Sequence, residues 1–237
     1  MNAPAVVEMI GLAGFSTVCL DAEHAAFTIG DLEALLRAAD VQGIDALVRV
    51  PETGIEISRV LDAGASGVLV PRVESADQAA RAVSLARYPS EGSRGAGPGR
   101  VAGYGARLAE TLGSANASVA VLAQVETRAG LERAAEIAAT PGLDAVFVGP
   151  GDLSVSLGVP MGSLEHRAAV TRIIEAAADQ AQRTGIFVSD PTEIGTYRDM
   201  GVSFFLVQSD SMFLLSAARE AHKVAAADHN ATQETQS

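Results

Sequence analysis

Asp21, Glu23 and His24 fall within four positions at the end of the apolar run Val18, Cys19, Leu20, in the stretch STVCLDAEHAAFT. Imidazole titrates near neutrality, and a neighbouring carboxylate can fix its orientation, so Asp21 or Glu23 with His24 forms a candidate proton-handling unit. Two more carboxylates follow apolar runs: Glu126 closes VAVLAQVE, and Asp152 comes after AVFVGPG. Singly, Asp152 reads as a helix cap and Glu126 as a first-turn acid favoured by the helix dipole. Brought to one face, they would repel unless a cation lay between them. A divalent metal with hard oxygen ligands meets that need and keeps positions open for water and substrate. Arg49, alone at the end of ALVRVP, is costly to bury without an anion, and a substrate carboxylate is a natural partner. His166, His222 and His229 read as structural.

Such residues act together only if a scaffold gathers them. Seven apolar, β-branched runs are expected strands: 16–22, 46–51, 67–73, 119–126, 145–150, 186–190 and 204–210. They are near-continuous hydrophobics, the pattern of parallel strands covered on both faces. Between them lie amphipathic stretches expected to be helices: DLEALLRAADV, IEISRVLDA, ADQAARAVSLAR, RAGLERAAEIAA, HRAAVTRIIEAAADQAQR and EIGTYRDM. No GxGxxG follows the first strand, which disfavours a dinucleotide-binding open sheet. Polar residues instead end nearly every run, among them Arg72, Glu74, Gln124, Asp190, Gln208 and Asp210. In a (β/α)8 TIM-type barrel those ends converge on one face. Only seven strands are found, and AVVEMIGLA reads as a helix directly before the first of them. The first strand of eight is therefore expected to be missing from this chain. Residues 1–225 are expected to form one barrel domain and 226–237 a polar, disordered tail.

The composition narrows the partners. A formal charge of −12 argues against nucleic acid and anionic membranes. No secretory leader or membrane-spanning run is recognised, and a cytoplasmic location is expected. The single cysteine, Cys19, reads as a small core residue and allows no intrachain disulfide. The loop RYPSEGSRGAGPGR, 87–100, carries three arginines and four glycines. It is either a flexible connection or an anion-contacting lid.

The segments GFSTVCLDAEHAAF, LVRVP, VLDAGASGVLVPRVES, ARYPSEGSRG, AQVETRAGLE and VFVGPGDLSVSLG, in that order, resemble the HpcH/HpaI family of class II pyruvate aldolases. The resemblance implies a barrel of the phosphoenolpyruvate/pyruvate type and a metal-dependent aldolase that reversibly cleaves a 4-hydroxy-2-oxo acid to pyruvate and an aldehyde. It implies Mg2+, Mn2+ or Co2+ on Glu126 and Asp152, and His24 as base with Asp21 as its dyad partner. It also implies Arg49 as the pyruvate-binding arginine, Gln124 near the ketoacid, and backbone amides around Gly151 and Asp152 on its carboxylate. Asp62, in LDAGA, looks like an aspartate offered across a subunit interface, in a family that is typically hexameric with exchanged C-terminal helices. Two other readings are a CoA-thioester lyase of the citryl- or malyl-CoA type and a catalytically inactive barrel homologue.

Overall fold

In a computed structural model, which describes residues 1–234 and the side-chain surroundings of residues 1–226, the seven expected strands form one parallel sheet. They are β1 Thr17–Asp21, β2 Asp45–Arg49, β3 Gly67–Val70, β4 Ala120–Val125, β5 Ala145–Val148, β6 Arg183–Val188 and β7 Phe204–Val207, paired in chain order. The helices are α1 Pro4–Leu12, α2 Ile29–Gln42, α3 Glu56–Asp62, α4 Ala76–Ala86, α5 Leu108–Ser118, α6 Arg128–Glu132, α7 Ala134–Ala138, α8 Pro150–Leu157, α9 Leu164–Asp179, α10 Ile194–Asp199 and α11 Asp210–Glu234. The result is a nearly closed (β/α) barrel. Its seam lies between β1 and β7, which do not pair. The amino group of Met1 forms an ion pair with Asp210, and Phe15 meets Phe213 with ring centroids 6.1 Å apart. No helix among the described residues is long and apolar enough to cross a membrane.

Period-two alternation sorts the strand residues into two cores. Val48, Val68, Val70, Val121, Val146, Val148 and Ile186 face outward and are buried against helix residues such as Leu35, Ile57 and Ile173. Leu47, Leu69, Leu122 and Phe147 face inward with Cys19, Phe187 and Leu206 and fill the barrel. Two positions further along, that inner face turns polar: Asp21 follows Cys19, Arg49 follows Leu47, and Gln124 follows Leu122. The inner core thus forms a dry floor beneath a polar layer.

Several boundaries differ from expectation. The helix expected over 166–183 ends at Asp179, and β6 starts at Arg183 after a turn through Ala181 at φ 53°. RAGLERAAEIAA breaks at Arg133 into α6 and α7. The segment expected as a polar tail from 226 is entered by α11, which runs to Glu234; residues 235–237 lie outside the described residues.

Candidate active site

A cavity of about 580 Å³ opens over the polar layer, lined by Asp21, His24, Arg49 and Gln124 together with Gly149, Pro150, Gly151 and Asp152. Those residues come from the ends of β1, β2, β4 and β5, far apart in sequence.

Asp21 and Arg49 are register partners on adjacent strands, each the last residue of its strand. Their side chains therefore meet: Arg49 Nε donates to Asp21 Oδ1 at 2.9 Å and Nη2 donates to Oδ2 at 2.6 Å. This two-pronged pair holds the Asp21 carboxyl below its ordinary range, against the upward push of desolvation. Asp21 Oδ1 also accepts the backbone N–H groups of Glu23 at 3.1 Å and His24 at 3.3 Å. The resemblance made Asp21 the partner of the His24 ring, but the structure gives Asp21 to the His24 backbone and to Arg49. The ring faces Glu23, with His24 Nε2 at 3.6 Å from Glu23 Oε2. Arg49 correspondingly meets its anion within the protein, and still borders the cavity.

Gln124 and Glu126 share a strand face at spacing two, so both point inward from the end of β4. Glu126 is only 1% exposed. Its Oε1 accepts the Arg72 backbone N–H at 2.9 Å, from a residue held at φ 52° just past β3. Its Oε2 accepts from Gln124 Nε2, whose other amide atom, Oε1, is buried without a partner. Burial, with the neighbouring charges of Asp152 and Glu23, pushes the Glu126 carboxyl up to about 7; the Arg72 N–H and Arg49 oppose this without cancelling it.

Continuing the β4–β5 register from Gln124↔Phe147 and Val125↔Val148 sets Glu126 opposite Gly149. A Cβ on Gly149 would sit 2.5 Å from Glu126 Oε2 and 2.7 Å from Gln124 Nε2. Its φ of −99° is open to any residue, so the requirement is space alone. Gly149→Ala is expected to cost about 1–3 kcal/mol of stability by overpacking and to displace the Glu126 carboxylate. Urea unfolding and Mn2+ titration of the same variant check both effects; a variant with wild-type values for each removes this steric account.

Gly149 also begins α8. Leu153 N donates to Gly149 O, so the amides of Gly151 and Asp152 precede the first intrahelical bond, at the positive end of the helix dipole. Gly151 borders open space, leaving room for an anion there.

Two features singled out by sequence lie away from this chain's own cavity. Asp62 ends α3, just before β3 begins, and so lies at the opposite end of the barrel from the cavity; it accepts from Arg94 Nη2 at 2.7 Å. The loop 87–100 follows α4 and lies at that same far end, so it is no lid over this chain's cavity. Its arginines are committed elsewhere: Arg87 to Val119 O and Asp144, Arg94 to Asp62 and the Tyr88 ring, Arg100 to Ala63 O and Asp40. Cys19 lies one layer below Asp21, and desolvation pushes its thiol up to about 12, which keeps it protonated and inert.

Residues 1–217 match the family model HpcH/HpaI aldolase/citrate lyase. A hydroxypyruvate/pyruvate aldolase of Paraburkholderia phytofirmans is 40% identical over 232 residues, covering 93% of this chain and 88% of that enzyme. A 5-keto-4-deoxy-D-glucarate aldolase of Klebsiella pneumoniae is 36% identical, covering 92% and 86%. A solved HpcH/HpaI aldolase/citrate lyase family protein from Burkholderia cenocepacia superposes with TM-score 0.90 at 36% identity, covering 95% and 91%. With its barrel, its polar strand ends and these relatives, the chain belongs to the HpcH/HpaI aldolase/citrate lyase family and is a carbon–carbon lyase of the aldolase type.

Proposed function

We propose that the chain is a metal-dependent aldolase that joins pyruvate or hydroxypyruvate reversibly to an aldehyde, giving a 4-hydroxy-2-oxo acid. The observation that carries this reading is the convergence of His24, Arg49, the open start of α8 and Asp152 on one cavity above an apolar floor, with the buried Glu126 carboxylate bonded to the lining residue Gln124. The names of the relatives support a 2-oxo acid as the nucleophile.

The donor set fits a divalent cation. Glu126 and Asp152 would be the oxygen ligands: the Asp152 charge is close enough to help raise the Glu126 carboxyl, and Glu126 is buried without a cationic side chain bonded to it. Among the described residues no group of three or more His, Cys, Asp or Glu side chains could hold a metal. Two carboxylates would therefore be the protein's share, with water or substrate completing the shell. When bound, Mg2+, Mn2+ or Co2+ supplies Lewis-acid polarisation of the substrate ketone.

The remaining roles belong to the chain. The Gly151 and Asp152 amides hold the 2-oxo acid carboxylate at the start of α8. Gln124 borders the bound ketoacid. His24 takes the C3 proton, and Arg49 stabilises the negative charge that develops on the enolate oxygen. C3 then attacks the aldehyde carbon, and the His24 imidazolium returns the proton to the new alkoxide. Asp62 takes no part within one chain; it is a group offered to the site of a second copy in a homo-oligomer.

Deuterium exchange at pyruvate C3, followed by NMR, tests the reading. Exchange should begin on adding Mg2+, Mn2+ or Co2+ and stop with excess chelator. Exchange that persists in chelator would remove the metal role. Cleavage of an acyl-CoA, with none of any 4-hydroxy-2-oxo acid, would move the chain to the thioester lyases.

A further inference from the structure

By sequence alone Glu23 has the weakest case of the three titratable groups between Asp21 and His24. The structure reverses that order. Glu23 does not line the cavity. Its side chain is 13% exposed, with Oε2 at 3.2 Å from Arg49 Nη1 and 3.6 Å from His24 Nε2. That oxygen is buried and makes no hydrogen bond. A buried carboxylate oxygen without a bonded donor is costly. Its nearest charged or chargeable partners of opposite sign, Arg49 and His24, are both residues of the proposed reaction, while Asp21 and Asp152 lie close enough to oppose its charge.

Asp21 cannot do the same work. Its two oxygens already accept Arg49 Nε, Arg49 Nη2 and the amides of Glu23 and His24. A carboxylate so engaged fixes the turn and the guanidinium and has little left for an imidazole. A structural need to neutralise Arg49 is also met by Asp21 alone.

We infer that Glu23 is a positioning residue that couples the base to the arginine: it holds the Nε2 edge of His24 and steadies Arg49 through Nη1. On this inference the proton of the neutral imidazole sits on Nε2, and Nδ1 is the atom that accepts the substrate proton. Glu23 acts through the two side chains it touches and never meets substrate. The kinetic part of the inference rests on the aldolase reading; the ring's tautomer does not.

The test uses 15N-labelled wild type, Glu23→Gln and Glu23→Asp, with His24→Gln to assign the His24 ring signals. At pH 8 the wild-type ring should be the Nε2–H tautomer, and Glu23→Gln should show a mixture. In metal-supplemented pyruvate C3 exchange, Glu23→Gln should lower kcat roughly 10- to 100-fold, less than the ~10²–10⁴ for losing a general base outright. KM should stay within about threefold, because the α8 amides are untouched. Glu23→Asp, which restores the charge on a shorter arm, should recover part of kcat. A ring tautomer indifferent to both substitutions overturns the inference, and so does a loss that falls wholly in KM. If Glu23→Gln does not fold, the Glu23→Asp spectrum decides by the same criterion. If the tautomer responds while wild type exchanges no pyruvate proton under any metal, the aldolase reading falls and the Glu23–His24 coupling stands.

Discussion

Glu126→Gln is expected to make the metal-free chain more stable at pH 8, by about 3 kcal/mol, while removing divalent-cation binding and C3 exchange. The Glu126 carboxyl is raised from 4.5 to about 7. The folded chain therefore holds this proton more tightly than the unfolded chain does. Its contribution to stability is complete below about pH 4.5 and is lost as pH rises through about 7. Each pKa unit is about 1.4 kcal/mol, which sets the size of the effect. Glutamine keeps an acceptor for the Arg72 N–H and carries no charge to bury. Urea unfolding in excess chelator from pH 5 to pH 8 checks this: wild type should weaken across the range and the variant should not. A flat wild-type profile would mean that burial does not burden this carboxylate. Added Mn2+ should reverse the ranking, because only wild type gains from binding it.

Replacing Arg49 should damage both the fold and the proposed proton transfer. Arg49→Met removes the cation that Asp21 and Glu23 share and leaves two acids facing each other. Removing one partner of a fully buried pair costs about 3–5 kcal/mol. Asp21 is 36% exposed, so about 2 kcal/mol is the expected loss here once solvent screening is allowed for. Turnover should fall by about 10²–10³, the usual cost of losing one donor to a developing oxyanion. Arg49→Lys separates the two effects. It restores the charge without the planar fork that meets Asp21 at two points, so unfolding free energy should recover further than kcat. Equal recovery of both would show that charge alone, and not the fork, is what the site requires.

Much of this site could be read from residue order, because strand ends in a barrel converge whatever their separation in sequence. Asp21, His24, Arg49, Gln124, Gly151 and Asp152 all border the cavity, while Glu126, bonded to Gln124, is not among its lining residues. The pairings within it were not legible. They depend on register, which places Asp21 beside Arg49 and Glu126 beside Gly149, and no local pattern reports register between strands. The place of the arginine-rich loop was hidden for a related reason: its composition suggests anion binding, but it belongs to the connection from α4 towards β4, at the far end of the barrel. Helix α5 went unseen because LAETLGSANAS has no strong apolar stripe. Its anchor is Asn116, which accepts Tyr88 N at 2.7 Å and donates to Tyr88 O at 3.1 Å, a tertiary contact.

The unpaired seam between β1 and β7 divides the site into halves of unequal firmness. β4 and β5 are hydrogen-bonded on both sides, and they carry Glu126 and Gly149. β1 is paired on one side only, and it carries Asp21 and leads into Glu23 and His24. Local opening begins where backbone bonds are fewest. A fluctuation that frees the edge of β1 will carry the base and its two acids away together, while the carboxylate wall stays in place. On the roles proposed above, the proton-handling residues follow a strand bonded on one side, and the buried carboxylate follows a strand bonded on both, so the first group is expected to loosen before the second.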